Sequence, residues 1–92
     1  MIIIASYDIS DDRRRVNAMN TLKALGFTRV QRSLYIAKGG LSLAKDAARA
    51  LSRVIKASED SVIIVIIDNR TWASGFRLGN LNDQVEDSVM VI

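Results

Sequence analysis

Ninety-two residues suffice for one domain near the small end of what folds alone, and an apolar fraction of 49% is ample for a core. The chain has no cysteine and no histidine, which excludes disulfides, thiol nucleophiles, the usual zinc sites and imidazole acid–base catalysis and leaves carboxylates, hydroxyls, Lys, Arg or a hard metal for any chemistry. The net charge is +3, and among the 13 basic residues arginine outnumbers lysine, the residue suited to bidentate phosphate contacts.

The first element predicted is a strand over Ile2–Tyr7, apolar on both alternating faces and so a central strand covered on both sides. It ends in Asp8. Ser10 or Asp11 caps the helix that follows, and Asp11 and Asp12 suit its positive N-terminal end. Val16, Met19, Leu22 and Leu25 recur at helical spacing, and Gly26 sits where a C′ glycine belongs. Phe27–Ala37 reads as extended, with no Gly or Pro to divide it.

Gly39-Gly40 breaks the chain. Ala44, Ala47, Ala48, Leu51, Val54 and Ile55 then mark an amphipathic helix, with Lys45, Arg49, Arg53 and Lys56 on its outer face. That stripe reads first as a solvated face. Val62–Ile67 is the second continuously apolar strand and ends in Asp68. Asn69–Gly75 reads as a loop, Phe76–Leu78 as a short extended piece and Val89–Ile92 as a final apolar strand. The predicted arrangement is one domain over residues 1–80 and a tail over residues 81–92 that pairs with a partner protomer.

If the extended region folds as a hairpin, the order is βαββαβ, the ferredoxin-like pattern of an α+β sandwich. Both helices of that pattern cover one sheet face. The two doubly apolar strands need cover on the second, and the sequence offers no third helix. A sheet-to-sheet homodimer meets that need, with the C-terminal strand on the partner's sheet edge. The Ile2–Ala5 run is too short for a signal peptide, and no apolar run approaches the roughly 18 residues of a membrane helix. A soluble, cytoplasmic protein with no membrane association is expected.

Asp8 is the leading site candidate. A carboxylate at the end of a central strand is rigidly placed, and Mg²⁺ or Mn²⁺ is held by few carboxylates with several waters. A two-fold axis near Asp8 would bring two copies together. The competing reading makes Asp8 a turn acid that accepts backbone amides. Asp68 also ends an apolar strand before a polar loop, and only the helix start and arginine cluster that follow Asp8 distinguish the two. Arg13, Arg14 and Arg15 are consecutive, so a helix splays them by about 100° each and at most two face one ligand. Tyr7 and Tyr35 are candidates for stacking on bases, although aromatics within strands more often pack. Ser33 has no His or Lys partner that would make it a nucleophile.

Tyr7-Asp8-Ile9-Ser10-Asp11-Asp12 followed by arginines, Gly26-Phe27, Val30-Gln31-Arg32-Ser33-Leu34-Tyr35 and Asp60-Ser61-Val62 before an apolar strand together resemble the CRISPR-associated protein 2 family. The resemblance spans residues 1–68 in order and spacing and is loose beyond Ser74. It implies a ferredoxin-like homodimer in which two copies of Asp8 bind one Mg²⁺ or Mn²⁺ near the dimer axis. It also implies an endonuclease acting on single-stranded RNA or double-stranded DNA, with Asp8 and Ser33 catalytic and Tyr7, Arg13, Arg14, Arg15, Arg32 and Tyr35 on the nucleic acid. The alternative it brings is a non-catalytic dimeric scaffold that bridges dimers of the CRISPR-associated integrase (protein 1) and spacer DNA. A regulatory or RNA-binding module of the same fold is a third reading. Arg32 stands where the family often has an aromatic or Lys, which adds charge. Ile36 and Ala37 stand where an acid often follows, which concentrates the metal role on Asp8.

Overall fold

The computed structural model describes residues 1–81. The elements in chain order are β1 (Ile2–Asp8), α1 (Asp12–Ala24), β2 (Thr28–Gln31), β3 (Leu34–Lys38), α2 (Leu41–Ser52), β4 (Ser61–Ile67) and α3 (Asn69–Ala73). The four strands form one antiparallel sheet in the order β2-β3-β1-β4. This is the ferredoxin-like α+β arrangement that the pattern predicts. The tail strand expected at Val89–Ile92 lies outside the described residues.

β1 is central because both of its neighbours are antiparallel to it, β3 through Ile2–Ser6 and β4 along its whole length to the Asp8–Ser61 pair. Its alternation sorts the side chains. Ile3, Ala5 and Tyr7 are buried under the helices with Ala18, Leu22, Ala47 and Leu51. Fully burying leucines such as Leu22 and Leu51 contributes roughly 1.5–3 kcal/mol each.

Asp11 caps α1, its carboxylate accepting the Arg14 N–H at 2.9 Å. At the other end Gly26 takes φ +91°. The Gly26 N–H then reaches the Lys23 carbonyl at 3.0 Å and the Phe27 N–H the Leu22 carbonyl at 3.0 Å. This double closure satisfies the orphan carbonyls and packs Phe27 onto Leu22, both buried. α2 stops at Ser52, so Val54 and Ile55 pack from the turn beyond it. Ala48, expected on the buried face, is exposed and lines a groove against β4.

The division that the sequence left open falls at Arg32-Ser33, the turn between β2 and β3. β2 carries a bulge between Arg29 and Gln31. A third helix does exist: Asn69–Ala73 is α3, where a loop was expected. Asp68 nucleates it by accepting the Thr71 N–H at 2.6 Å. Beyond it, Arg77 lies 4.0 Å over the Trp72 ring. Trp72, Phe76 and Leu78 line an open groove with Val30, Leu34 and Ile67. The second sheet face is thus partly covered from within the chain, although Ile63 remains 65% and Val65 42% exposed.

Candidate nucleic-acid site at the end of the first strand

Asp8 is the last residue of β1, opposite Ser61, and by alternation shares the second sheet face with Ile2, Ile4 and Ser6. It is exposed. Among the described residues its carboxylate has no hydrogen-bond or ion-pair partner; the cap of α1 is supplied by Asp11. Asp68 is different. It caps α3, and its bonds from Thr71 hold its carboxyl below the usual carboxylate range. Two acids that each end an apolar strand are therefore used differently, one spent on a helix cap and the other open.

The Arg32-Ser33 turn is brought beside Asp8 through the backbone, since the Tyr7 N–H donates to the Ser33 carbonyl at 3.2 Å. The three consecutive arginines separate. Arg13 is exposed and has no ion-pair partner among the described residues. Arg15 donates to the Ile9 and Ser10 carbonyls, both at 3.4 Å, and pairs with Asp12. Arg14, expected on nucleic acid, is committed elsewhere. Its Nε donates to Asp60 Oδ2 at 2.7 Å, and its Nη2 reaches Asp60 Oδ1 at 3.3 Å and Glu59 Oε2 at 2.9 Å. Asp60 also accepts the Lys56 N–H at 2.8 Å, and its side chain is fully buried. Arg14, first among these partners, holds the Asp60 carboxyl below its ordinary value, and Asp60 in turn raises the Arg14 guanidinium.

Tyr35 is completely buried and Tyr7 nearly so. Their rings stack at 5.9 Å with 26° between planes, and their hydroxyls are 3.5 Å apart. Burial is the larger cause, and the Tyr7 hydroxyl the next, of a Tyr35 phenol raised far above its ordinary value. Neither ring presents a free face, so the stacking on bases expected of them gives way to packing. A small cleft of about 160 Å³ lies beside the two rings, lined also by Arg15, Arg29, Arg32 and Met19. Arg29 is the member that sequence reasoning missed. It pairs in register with Tyr35, which is the one signal that placed it on this side of the sheet.

The arrangement offers an open carboxylate on one side of the β1 end and three guanidinium groups on the other. Among the described residues no three His, Cys, Asp or Glu side chains converge. A lone, unpartnered hard-oxygen donor suits Mg²⁺ or Mn²⁺, which keep several waters and take substrate oxygens, and does not suit zinc.

Fold and site together define a ferredoxin-like α+β protein with an acid at the end of its first strand. The profile of the family described as CRISPR associated protein Cas2 matches residues 1–74. The CRISPR-associated endoribonuclease Cas2 of Aeropyrum pernix is 40% identical over 90 residues, covering 98% of this chain and 95% of the relative. A CRISPR-associated endonuclease Cas1/endonuclease Cas2 fusion of Thermoproteus tenax is 31% identical over 78 residues, covering 85% of this chain and 30% of the fusion. The crystal structure of Streptococcus pyogenes Cas2 superposes with a TM-score of 0.73 at 19% identity, covering 86% of this chain and 100% of that one. This chain belongs to the CRISPR associated protein Cas2 family.

Proposed function

We propose that the protein acts in CRISPR spacer acquisition as a homodimeric, Mg²⁺- or Mn²⁺-dependent endonuclease that hydrolyses phosphodiester bonds of single-stranded RNA, double-stranded DNA or both. The observation that carries the reading is the open Asp8 carboxylate, exposed at a rigid strand end while its counterpart Asp68 is used as a cap. The name endoribonuclease borne by the Aeropyrum relative supports it. Two copies of Asp8, one from each protomer, would hold the ion. When bound, the ion lowers the pKa of a water and offsets charge on the phosphate. Ser33, on the turn beside β1, hydrogen-bonds a phosphate oxygen. Arg13, Arg15, Arg29 and Arg32 grip the backbone on either side of the scissile bond. Arg14 is excluded from that role by its two carboxylates.

Asp8→Asn is expected to abolish metal-dependent cleavage of RNA and duplex DNA while sparing dimerisation. Cleavage at the wild-type rate by this variant overturns the catalytic reading. Binding should also weaken steeply as salt rises, because the grip is on phosphates.

A second reading is a non-catalytic scaffold that bridges integrase dimers and spacer DNA. The Thermoproteus relative supports it, since it is named as one chain carrying both Cas1 and Cas2. Under this reading Asp8→Asn leaves spacer acquisition intact, and the protein co-purifies with the integrase.

A further inference from the structure

Asp60 is the only buried charged side chain among the described residues, and the proposed chemistry does not use it. Its position gives it a different task. Asp60 immediately precedes Ser61, and Ser61 is paired with Asp8 at the last rung of the β1–β4 ladder. Arg14 sits in the first turn of α1, where its own N–H is held by Asp11 at 2.9 Å. The link from β1 to α1 is therefore Ile9, Ser10 and Asp11, fastened at one end by the ladder and at the other by Arg14. The Arg14–Asp60 pair closes this frame, because it ties the first turn of α1 to the residue beside Ser61 at 2.7 Å.

The tie is specific in direction as well as charge. The Asp60 carboxylate receives Nε and Nη2 of one guanidinium plus the Lys56 N–H. This three-bond set fixes the rotamer of both side chains, as a fork on a carboxylate does and a single ammonium does not. Asp60 is in turn anchored to the end of the α2 segment by the bond from its own N–H to the Lys56 carbonyl at 2.8 Å. Three elements, α1, the loop after α2 and β4, thus meet at one buried carboxylate next to the strand end that carries Asp8.

We infer that Asp60 and Arg14 are positioning residues that hold the Asp8 carboxylate in its reactive place by fixing the Ile9–Asp11 link. The inference rests on the catalytic reading of Asp8. It also explains why one of three adjacent arginines is committed to carboxylates on a distant loop: Arg14 serves the acid and leaves Arg13 and Arg15 to the substrate.

The test uses the full chain with Asp60→Asn, which keeps the shape and one acceptor oxygen, and Arg14→Lys, which keeps the charge and loses the fork. Amide hydrogen exchange over Ile9–Arg15 should quicken by about tenfold or more in both variants, with β2 and β3 unchanged. In cleavage assays kcat should fall about 10–100-fold with KM for RNA unchanged, the range typical of a group that orients a ligating carboxylate. The Mn²⁺ affinity of the dimer, read by electron paramagnetic resonance, should weaken in step. A purely structural pair would lower the melting temperature and leave kcat and Mn²⁺ affinity at wild-type values; that result overturns the inference. If Asp8→Asn itself cleaves normally while exchange over Ile9–Arg15 still quickens in Asp60→Asn, the catalytic reading fails and the frame stands without a chemical role, which overturns the positioning claim by a different signature.

Discussion

Tyr35 and Asp60 are acids displaced in opposite directions, and each predicts its own limb of the pH–stability profile. For Tyr35 the folded state keeps the phenol proton that the unfolded chain releases near pH 10. Its contribution is complete below that pH and is lost as the pH rises above it. For Asp60 the folded pKa lies below the unfolded one, chiefly through Arg14, so its contribution is present above about pH 4 and is lost as the pH falls through the depressed value. Thermal melts between pH 9 and 11 should show a falling transition temperature that flattens in Tyr35→Phe. Melts between pH 2 and 5 should show an acid limb that flattens in Asp60→Asn. Phenolate absorbance from Tyr35 appearing before unfolding would contradict the first half. At this scale Asp8 is the contrast, among the described residues an acid without a partner where the other strand-end carboxylates, Asp60 and Asp68, have theirs.

At the scale of elements, α1 is defined by its two ends and one buried row. Asp11 starts it, Gly26 stops it, and Ala18 and Leu22 seat it on β1. Leu22→Ala should cost about 2–5 kcal/mol in urea unfolding, because Leu22 is fully buried beneath Phe27 and the cavity cannot close around a fixed helix end. A loss under 1 kcal/mol would mean that the helix slides to fill the gap. The two ends were legible in the sequence, since caps are local signals; the row was legible only in part, because the spacing of Val16, Met19, Leu22 and Leu25 pointed to Leu22 but passed over the small Ala18, while Val16 is exposed. The division of Phe27–Ala37 was not, because the turn at Arg32-Ser33 uses no glycine or proline and is held by the Tyr7–Ser33 backbone bond from another strand. α3 was missed for a related reason: Asn69–Ala73 has no apolar period, and its cap, Asp68, resembled a candidate ligand. The fate of Arg14 was illegible because its partner lies 46 residues away. Asp8 was legible as a candidate, and what set it apart from Asp68 was a hydrogen bond that only the fold reveals.

Across the whole molecule, the sheet has one face roofed by two helices and one roofed by the short segment after β4. The second roof leaves Ile63 and Val65 exposed on β4, which among the described residues is an edge strand of the sheet. In the proposed homodimer these side chains lie between the two sheets, and the same contact brings the Asp8 ends together. Ile63→Lys should therefore convert a dimer to a monomer in sedimentation, with an unchanged far-ultraviolet spectrum, and should remove cleavage although no site residue is altered. A wild-type monomer at micromolar concentration would overturn this assembly, and the shared-ion site with it.

β4 itself, Ser61–Ile67, is seven residues of Ser, Val and Ile with no charge, glycine or proline. It pairs on one side with β1 and, among the described residues, on no other. Such a run is a template for cross-β growth, and a protomer outside the proposed homodimer is the species at risk. Asp60 and Asp68 stand at its two ends. Beyond closing a frame and capping a helix, they are gatekeepers: a stack of these strands in register would line up like charges at both margins. The two acids that bracket the strand thus guard the solubility of a protomer whose β4 edge is not covered by a second copy.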